Sequence, residues 1–214
     1  MNPKVLDLAS GRNSAIFSGE DTRYRSVQVV LRRYMAAMAA ASVLLISGCG
    51  ESLDQILIPI PDESEQATLV DFSGGDLTQP SAFDILSEDV VRTDQSAGWD
   101  FVLELLPDDT PVLWPRSGLV EDDSDSGIYM SSNTFDGLTE APETGYVQTE
   151  FVIVQEGDVL AVRSRRDPVF GNIRCRRFAK IEILAVDSAE GTATFRFLVN
   201  PNCEKRKLVA GADE

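Results

Sequence analysis

The chain has 214 residues, 35 of them Asp or Glu and 19 Lys or Arg, giving a net charge of −16, and it contains no histidine. Charge of this sign repels nucleic acid and anionic lipid head groups, so both are poor partners. The missing imidazole excludes Ser-His and Cys-His nucleophiles and removes the commonest general base, metal ligand and haem ligand.

Residues 1–48 read as a leader. Arg32 and Arg33 precede an uncharged apolar run over residues 35–46, and Ser47 and Gly48 follow before Cys49. Basic, then apolar, then small is the order of a secretory signal. The apolar part is too short to cross a bilayer as a helix, which needs about 20 residues. A buried helix ending in Gly-Cys-Gly is the alternative, but Gly48 and Gly50 disfavour it and the run has no amphipathic face. Residues 1–31 add nothing a signal needs, and initiation near residues 27–31 through an alternative start codon would give a leader of ordinary length. Ile46-Ser47-Gly48-Cys49 resembles a bacterial lipobox. The resemblance implies that Cys49 is lipidated and becomes the first residue of a membrane-anchored protein. Gly50 in the next position, rather than Asp, resembles Gram-negative lipoproteins of the outer membrane, with periplasmic or surface orientation left open.

Beyond the leader stand 13 basic and 32 acidic residues, a net charge of −19, very unevenly placed. Residues 50–162 carry 25 acids against only Arg92 and Arg116, whereas residues 163–214 carry 11 bases against 7 acids. Two roles are open to the basic segment: counter-charge to the acidic half across one fold, or a local anion site built from the cluster between Arg163 and Lys180. Cys175 and Cys203 are left as a pair once Cys49 takes lipid, and in an exported protein they predict a disulfide. It would close a loop of roughly 30 residues and stabilise by about 3–4 kcal/mol.

Residues 49–66 read as a tether, because Pro59 and Pro61 bar a helix and Asp62-Glu63-Ser64-Glu65 is solvated. The folded domain is expected over residues 67–214. Short strands are predicted over residues 68–70, 81–86 and 90–92. Residues 99–105 form a mostly buried strand, rich in aromatic and β-branched side chains and punctuated by Asp100 and Glu104. Residues 112–114 follow, closed by Pro115. The acidic run over residues 121–127 is not an EF-hand: counted back from Gly127, the ligand positions fall on Asp122, Ser124 and Ser126, and the twelfth on Asn133. A solvated loop is expected there. Strands over 148–154 and 159–163 flank a turn at 155–158. Residues 178–186 alternate with Ile181, Ile183 and Ala185 inward, and residues 192–199 with Ala193, Phe195, Phe197 and Val199 on one face. Many short strands, little helical periodicity and no repeat predict an all-β sandwich.

The Trp99-Asp100-Phe101 entry, the Thr134-Phe135-Asp136 and Ala141-Pro142-Glu143 passage, and Phe178-Ala179-Lys180-Ile181 followed by Gly191-Thr192-Ala193-Thr194-Phe195 occur in an order that resembles the HmuY-like family. These are outer-membrane lipoproteins, some of which bind haem. The resemblance spans roughly residues 80–200. It implies a sandwich in which Trp99 opens a core strand and loops at one end form a ligand cleft. Haem carriers of this kind hold iron through two histidines, which this chain lacks. Met130, Tyr129 and Tyr146 are then the remaining soft or phenolate iron ligands beyond the leader; the plainer role for Met130 is a partly buried apolar residue beside a loop. Arg163, Arg165 and Arg166, with Arg174, Arg176 and Arg177, offer bidentate forks for propionates or other carboxylates. The expected function is a non-catalytic envelope lipoprotein that captures haem, a porphyrin or another small ligand. The alternative is a structural or assembly lipoprotein whose partner is an outer-membrane receptor, another envelope protein or a glycan. No metal cluster or phosphate loop is present in the sequence, and no carboxylate pair stands out for hydrolysis.

Overall fold

Two five-stranded antiparallel sheets pack face to face, so the sandwich expected from the strand pattern is the fold. The computed structural model describes residues 57–211, apart from residues 75, 77, 122–123 and 171–172; the leader and Cys49 lie outside the described residues. The first sheet runs in the order β1 (Glu65–Val70), β12 (Thr192–Asn200), β11 (Phe178–Asp187), β8 (Val159–Arg163) and β6 (Gly127–Ser131). The second runs β3 (Asp89–Val91), β2 (Ala82–Asp84), β4 (Phe101–Leu105), β5 (Pro111–Pro115) and β7 (Val152–Ile153). A separate hairpin joins β9 (Asp167–Phe170) to β10 (Ile173–Cys175), and a single turn of helix, α1 (Arg116–Leu119), follows β5.

Side-chain alternation explains which face each strand buries. Ala193, Phe195, Phe197 and Val199 of β12 point between the sheets, beside Ala179, Ile181 and Ile183 of β11. They meet Phe83 and Phe101 from the second sheet, with Phe83 lying edge-on to Phe197 at 4.7 Å and to Phe195 at 5.3 Å between ring centroids. Burial of each phenylalanine contributes about 1.5–3 kcal/mol, and edge-to-face geometry adds to it.

The first sheet is also covered on its outer face. Val159 and Ala161 of β8, Phe178 of β11 and Leu198 of β12 pack under Phe135, Leu138 and Ala141 of the 132–151 connection and under Leu208. Burial on both faces is why β8 reads as an unbroken apolar run. Lys180, buried on that outer face, donates to Phe135 O at 2.9 Å and Leu138 O at 3.4 Å, which pins the covering turn onto the sheet.

Four expectations are corrected. The tether predicted over 49–66 is anchored through the Ile58 backbone and the Ile60 side chain, and β1 begins at Glu65, ahead of the predicted domain start at Ala67. Ile60 is 2% exposed within the outer layer, and Asn202 satisfies the backbone of Ile58 through bonds of 2.7 and 2.8 Å. The prolines do prevent regular structure, but a side-chain amide supplies the hydrogen bonds that a ladder would otherwise give. The strand predicted over 148–154 survives only as β7, because this segment crosses from one sheet to the other: Val147 bridges Ile128 at the β6 edge, and Val152–Ile153 then pairs with β5. Ala185 faces solvent, since a register shift between Ile183 and Ala185 breaks the alternation. Trp99 precedes β4 rather than opening it, and packs with Ala82 and Val102 on the outer face of the second sheet.

Candidate functional site

Register brings the charged residues to one end of the sandwich. Gly127, Arg163 and Phe178 are paired across β6, β8 and β11, and Phe101 is paired with Pro115 across β4 and β5. The loops leaving these positions carry residues 96–100, α1, residues 124–126 and the segment 164–177.

Arg165 ties the two sheets together there. Its Nη1 donates to Asp84 Oδ1 at 2.7 Å and to Asp100 Oδ2 at 3.3 Å, and its backbone N–H donates to Asp100 Oδ1 at 2.6 Å. Asp100 also accepts from the Ile85 backbone at 2.8 Å and has no exposed surface. Complete burial pushes the Asp100 carboxyl up to about 7, although Arg165 and the two backbone donors pull the other way. Gly98 completes the arrangement: a Cβ there would lie 2.8 Å from Arg165 Nη2, so only glycine lets the chain approach this closely.

A second network centres on Asp125. Arg163 Nη2 lies 2.8 Å from it, Arg176 donates to it, Arg166 Nε stands 3.8 Å away, and Gln148 donates at 2.5 Å. Asp125 adopts a left-handed conformation with φ of 57°, which Asp tolerates better than most side chains. The solvated acidic loop expected here is therefore an anchor for three arginines, flanked by the buried hydroxyls of Ser124 and Ser126.

Between these networks and the β9–β10 hairpin lies a cleft of about 300 Å³ lined by Arg116, Arg165, Arg166, Arg174, Asp167 and Ser124. Among the described residues, four arginines and one carboxylate line it. Arg116 also spans the Trp99 ring at 4.9 Å, and Asp167 stands 3.8 Å from Arg165 Nη2. Such a wall offers planar, bidentate donors to carboxylate, phosphate or sulfate.

The predicted iron ligands do not converge. Met130 and Tyr129 are consecutive on β6 and so point to opposite faces. Tyr129 and Tyr146 pack together in the outer layer at 6.0 Å between centroids, while Met130 is 40% exposed at the sheet edge. Burial holds the Tyr146 phenol well above its ordinary range, which disfavours the phenolate that iron requires. None of the three lines the arginine cleft, so the residues present do not fit a ligated haem. Cys175 and Cys203 form a disulfide with a Cα–Cα distance of 5.1 Å.

Of the predicted anion residues, Arg165 and Arg166 line the cleft, whereas Arg163 is turned to Asp125 and lies 4.8 Å over the Tyr146 ring. Sequence reasoning missed Arg116, Asp84, Asp100 and Asp125. A signal existed for Asp100 alone: a carboxylate inside an apolar strand pattern needs a buried cationic partner. No family model matches the chain, and neither a curated protein nor a solved structure is significantly similar to it.

Proposed function

We propose that this chain is a non-catalytic, lipid-anchored protein of the cell envelope that binds a carboxylate-bearing ligand in the arginine cleft. The observation that carries this reading is the concentration of Arg116, Arg165, Arg166 and Arg174 around one space in a protein whose net charge is −16. A strongly acidic chain gains nothing in solubility from gathering cations, and ion pairing with Asp125 and Asp84 accounts for Arg163 and Arg165 but not for Arg174. Arg174 makes no ion pair among the described residues. The motif resemblance to the HmuY-like family, with its ligand cleft in loops at one end, supports the same location. The lipobox and leader support the envelope assignment. Haem, if carried at all, would be held through its propionates rather than its iron.

Calorimetric titration of the mature lipoprotein in detergent with citrate, inorganic phosphate and haemin tests this. Saturable citrate binding, weakened about tenfold or more by Arg166→Gln with Arg174→Gln, is the expected result, since each charge-assisted hydrogen bond contributes about 1.5–3 kcal/mol. Absence of saturable binding by all three anions would refute it. A Soret change diagnostic of axial ligation would restore iron coordination to the account.

A further inference from the structure

The arginine cleft is not the only basic cavity at this end of the molecule. A second one, of about 510 Å³, is lined by Glu140, Glu204, Lys205, Arg206 and Lys207. The two meet at Arg166 and Glu204: Arg166 lines the first, Glu204 lines the second, and Nε and Oε1 of the pair are 4.0 Å apart. The disulfide fixes their spacing. Arg174 immediately precedes Cys175, Lys205 lies two residues after Cys203, and the cysteine Cα atoms are 5.1 Å apart. At about 3.8 Å per residue, the backbones of Arg174 and Lys205 are therefore within about 17 Å. Glu204 N–H also donates to Arg176 O at 2.8 Å, so the two segments are joined by backbone as well as by sulfur. Like Arg174 in the first cavity, Lys205 in the second makes no ion pair among the described residues.

We propose that the two cavities form one extended subsite that takes a linear acidic glycan, a chain of uronate sugars. This rests on the anion-binding reading above and narrows its ligand from a single carboxylate to a row of them. Two spaced cationic pockets joined by a covalent clamp suit a repeating anion better than a small one, because each pocket engages a different unit of the same chain. The interleaved carboxylates select among polyanions. Asp167, Glu140 and Glu204 sit among the cations, where they accept hydrogen bonds from sugar hydroxyls. They would repel a polynucleotide, whose every backbone unit carries a phosphate charge. In a uronate chain, hydroxyl donors stand between the charges.

The test is binding of galacturonic acid and of its linear tetramer to the mature lipoprotein in detergent, with polyuridylate as the competing polyanion. The tetramer is expected to bind about tenfold or more tighter than the monomer, because the second contact becomes intramolecular. Lys205→Gln with Lys207→Gln should abolish that gain, so that the tetramer binds no more tightly than the monomer. Both side chains lie outside the hydrophobic layers, and circular dichroism of the variant would verify its fold. Equal affinity for monomer and tetramer, a length gain that survives the double substitution, or tighter binding of polyuridylate would each overturn the extended site. If monomer binding persists through those outcomes, the arginine cleft stands as a small-anion site. If neither sugar nor citrate binds, the anion-binding reading falls with it.

Discussion

Asp100 and Asp125 each gather arginines at the same end of the sandwich, yet Asp100 has no exposed side-chain surface whereas that of Asp125 is 36% exposed. Asp100 is held by two backbone N–H groups and by Arg165, and through them it joins β2, β4 and the 164–166 segment. Asp125 is held almost wholly by side chains, those of Arg163, Arg166, Arg176 and Gln148. Depth decides what the same chemistry does. A desolvated carboxylate and guanidinium cannot part without leaving an unpaired charge in a low-dielectric interior, so they act as a fixed joint between the sheets. A carboxylate at the rim is screened by water and salt, and it sets the local field while Arg166, whose side chain is 46% exposed, keeps some freedom to turn towards a ligand.

The largest effect should come from breaking the joint. Arg165→Leu is expected to cost about 3–5 kcal/mol at pH 8, read as the shift in urea midpoint, because Asp100 is left buried without its counter-charge. The cost should shrink at pH 5, where Asp100 takes up a proton and needs no partner. The same group gives the parent protein a pH dependence. The Asp100 carboxyl is raised to about 7 when folded, against about 3.9 in an unfolded chain. The folded state then binds the extra proton, and the stability this confers is complete below about pH 4 and disappears as the pH rises through about 7. Thermal unfolding followed from pH 4 to pH 8 should show this decline, and Asp100→Asn should flatten it. An unchanged slope in Asp100→Asn would assign the titration elsewhere.

Next in size is the covalent clamp. Removing the disulfide through Cys175→Ala with Cys203→Ala should cost about 3 kcal/mol, since the bond closes a segment with a sequence separation of 28 residues. Arg165 of the Asp100 joint lies 3.8 Å from Asp167, which pairs with Cys175 across the β9–β10 hairpin, so the two losses are expected to couple rather than simply add; a double-mutant cycle in denaturant measures this. Gly98→Ala should cost about 1–3 kcal/mol by forcing a methyl against Arg165 Nη2, which both aspartates hold in place. Its effect should fall when combined with Arg165→Leu, where the obstruction is gone.

How much of this was legible in the sequence differs between the core and the charged end. The inward face of β12 was readable because a period of two repeats over Ala193, Phe195, Phe197 and Val199, and burial follows period. Pairing of the acidic half with the basic segment was readable from composition, and Arg163–Asp125, Arg165–Asp84, Arg177–Glu88 and Arg206–Glu140 are such pairs. Which arginine takes which carboxylate was not readable, since it depends on loops that close only when both sheets are in place. Arg165 and Asp84 are 81 residues apart. Nor does periodicity report a segment such as 57–61, whose hydrogen bonds come from a distant asparagine and from a single bridge between Ile60 and Gly211 rather than from a strand. The outer layer was hidden for a related reason: Phe135, Leu138 and Leu208 bury themselves from irregular connections that show no period at all.

The smallest effect expected is the one that separates the two carboxylates most sharply. Asp125→Asn keeps the shape and the hydrogen bond from Gln148 but removes the charge that Arg163, Arg166 and Arg176 share. Partial exposure and water screening keep its cost to about 1 kcal/mol in low salt. Raising ionic strength to about 1 M shortens the Debye length to about 3 Å. The repulsion among the three arginines is then damped, and the difference from the parent should nearly vanish. Arg165→Leu should keep most of its cost in the same buffer, because ions do not enter the site that surrounds Asp100. Binding should move in the opposite sense. With Asp125 neutral, the field in the adjoining cleft becomes more positive, so citrate affinity should rise by about two- to fivefold in low salt, equivalent to about 0.4–1 kcal/mol of added attraction across a partly exposed site. A variant that loses stability and gains affinity together would identify Asp125 as the counter-ion of the cleft. Loss of both would mean that Asp125 positions the arginines rather than tuning their field.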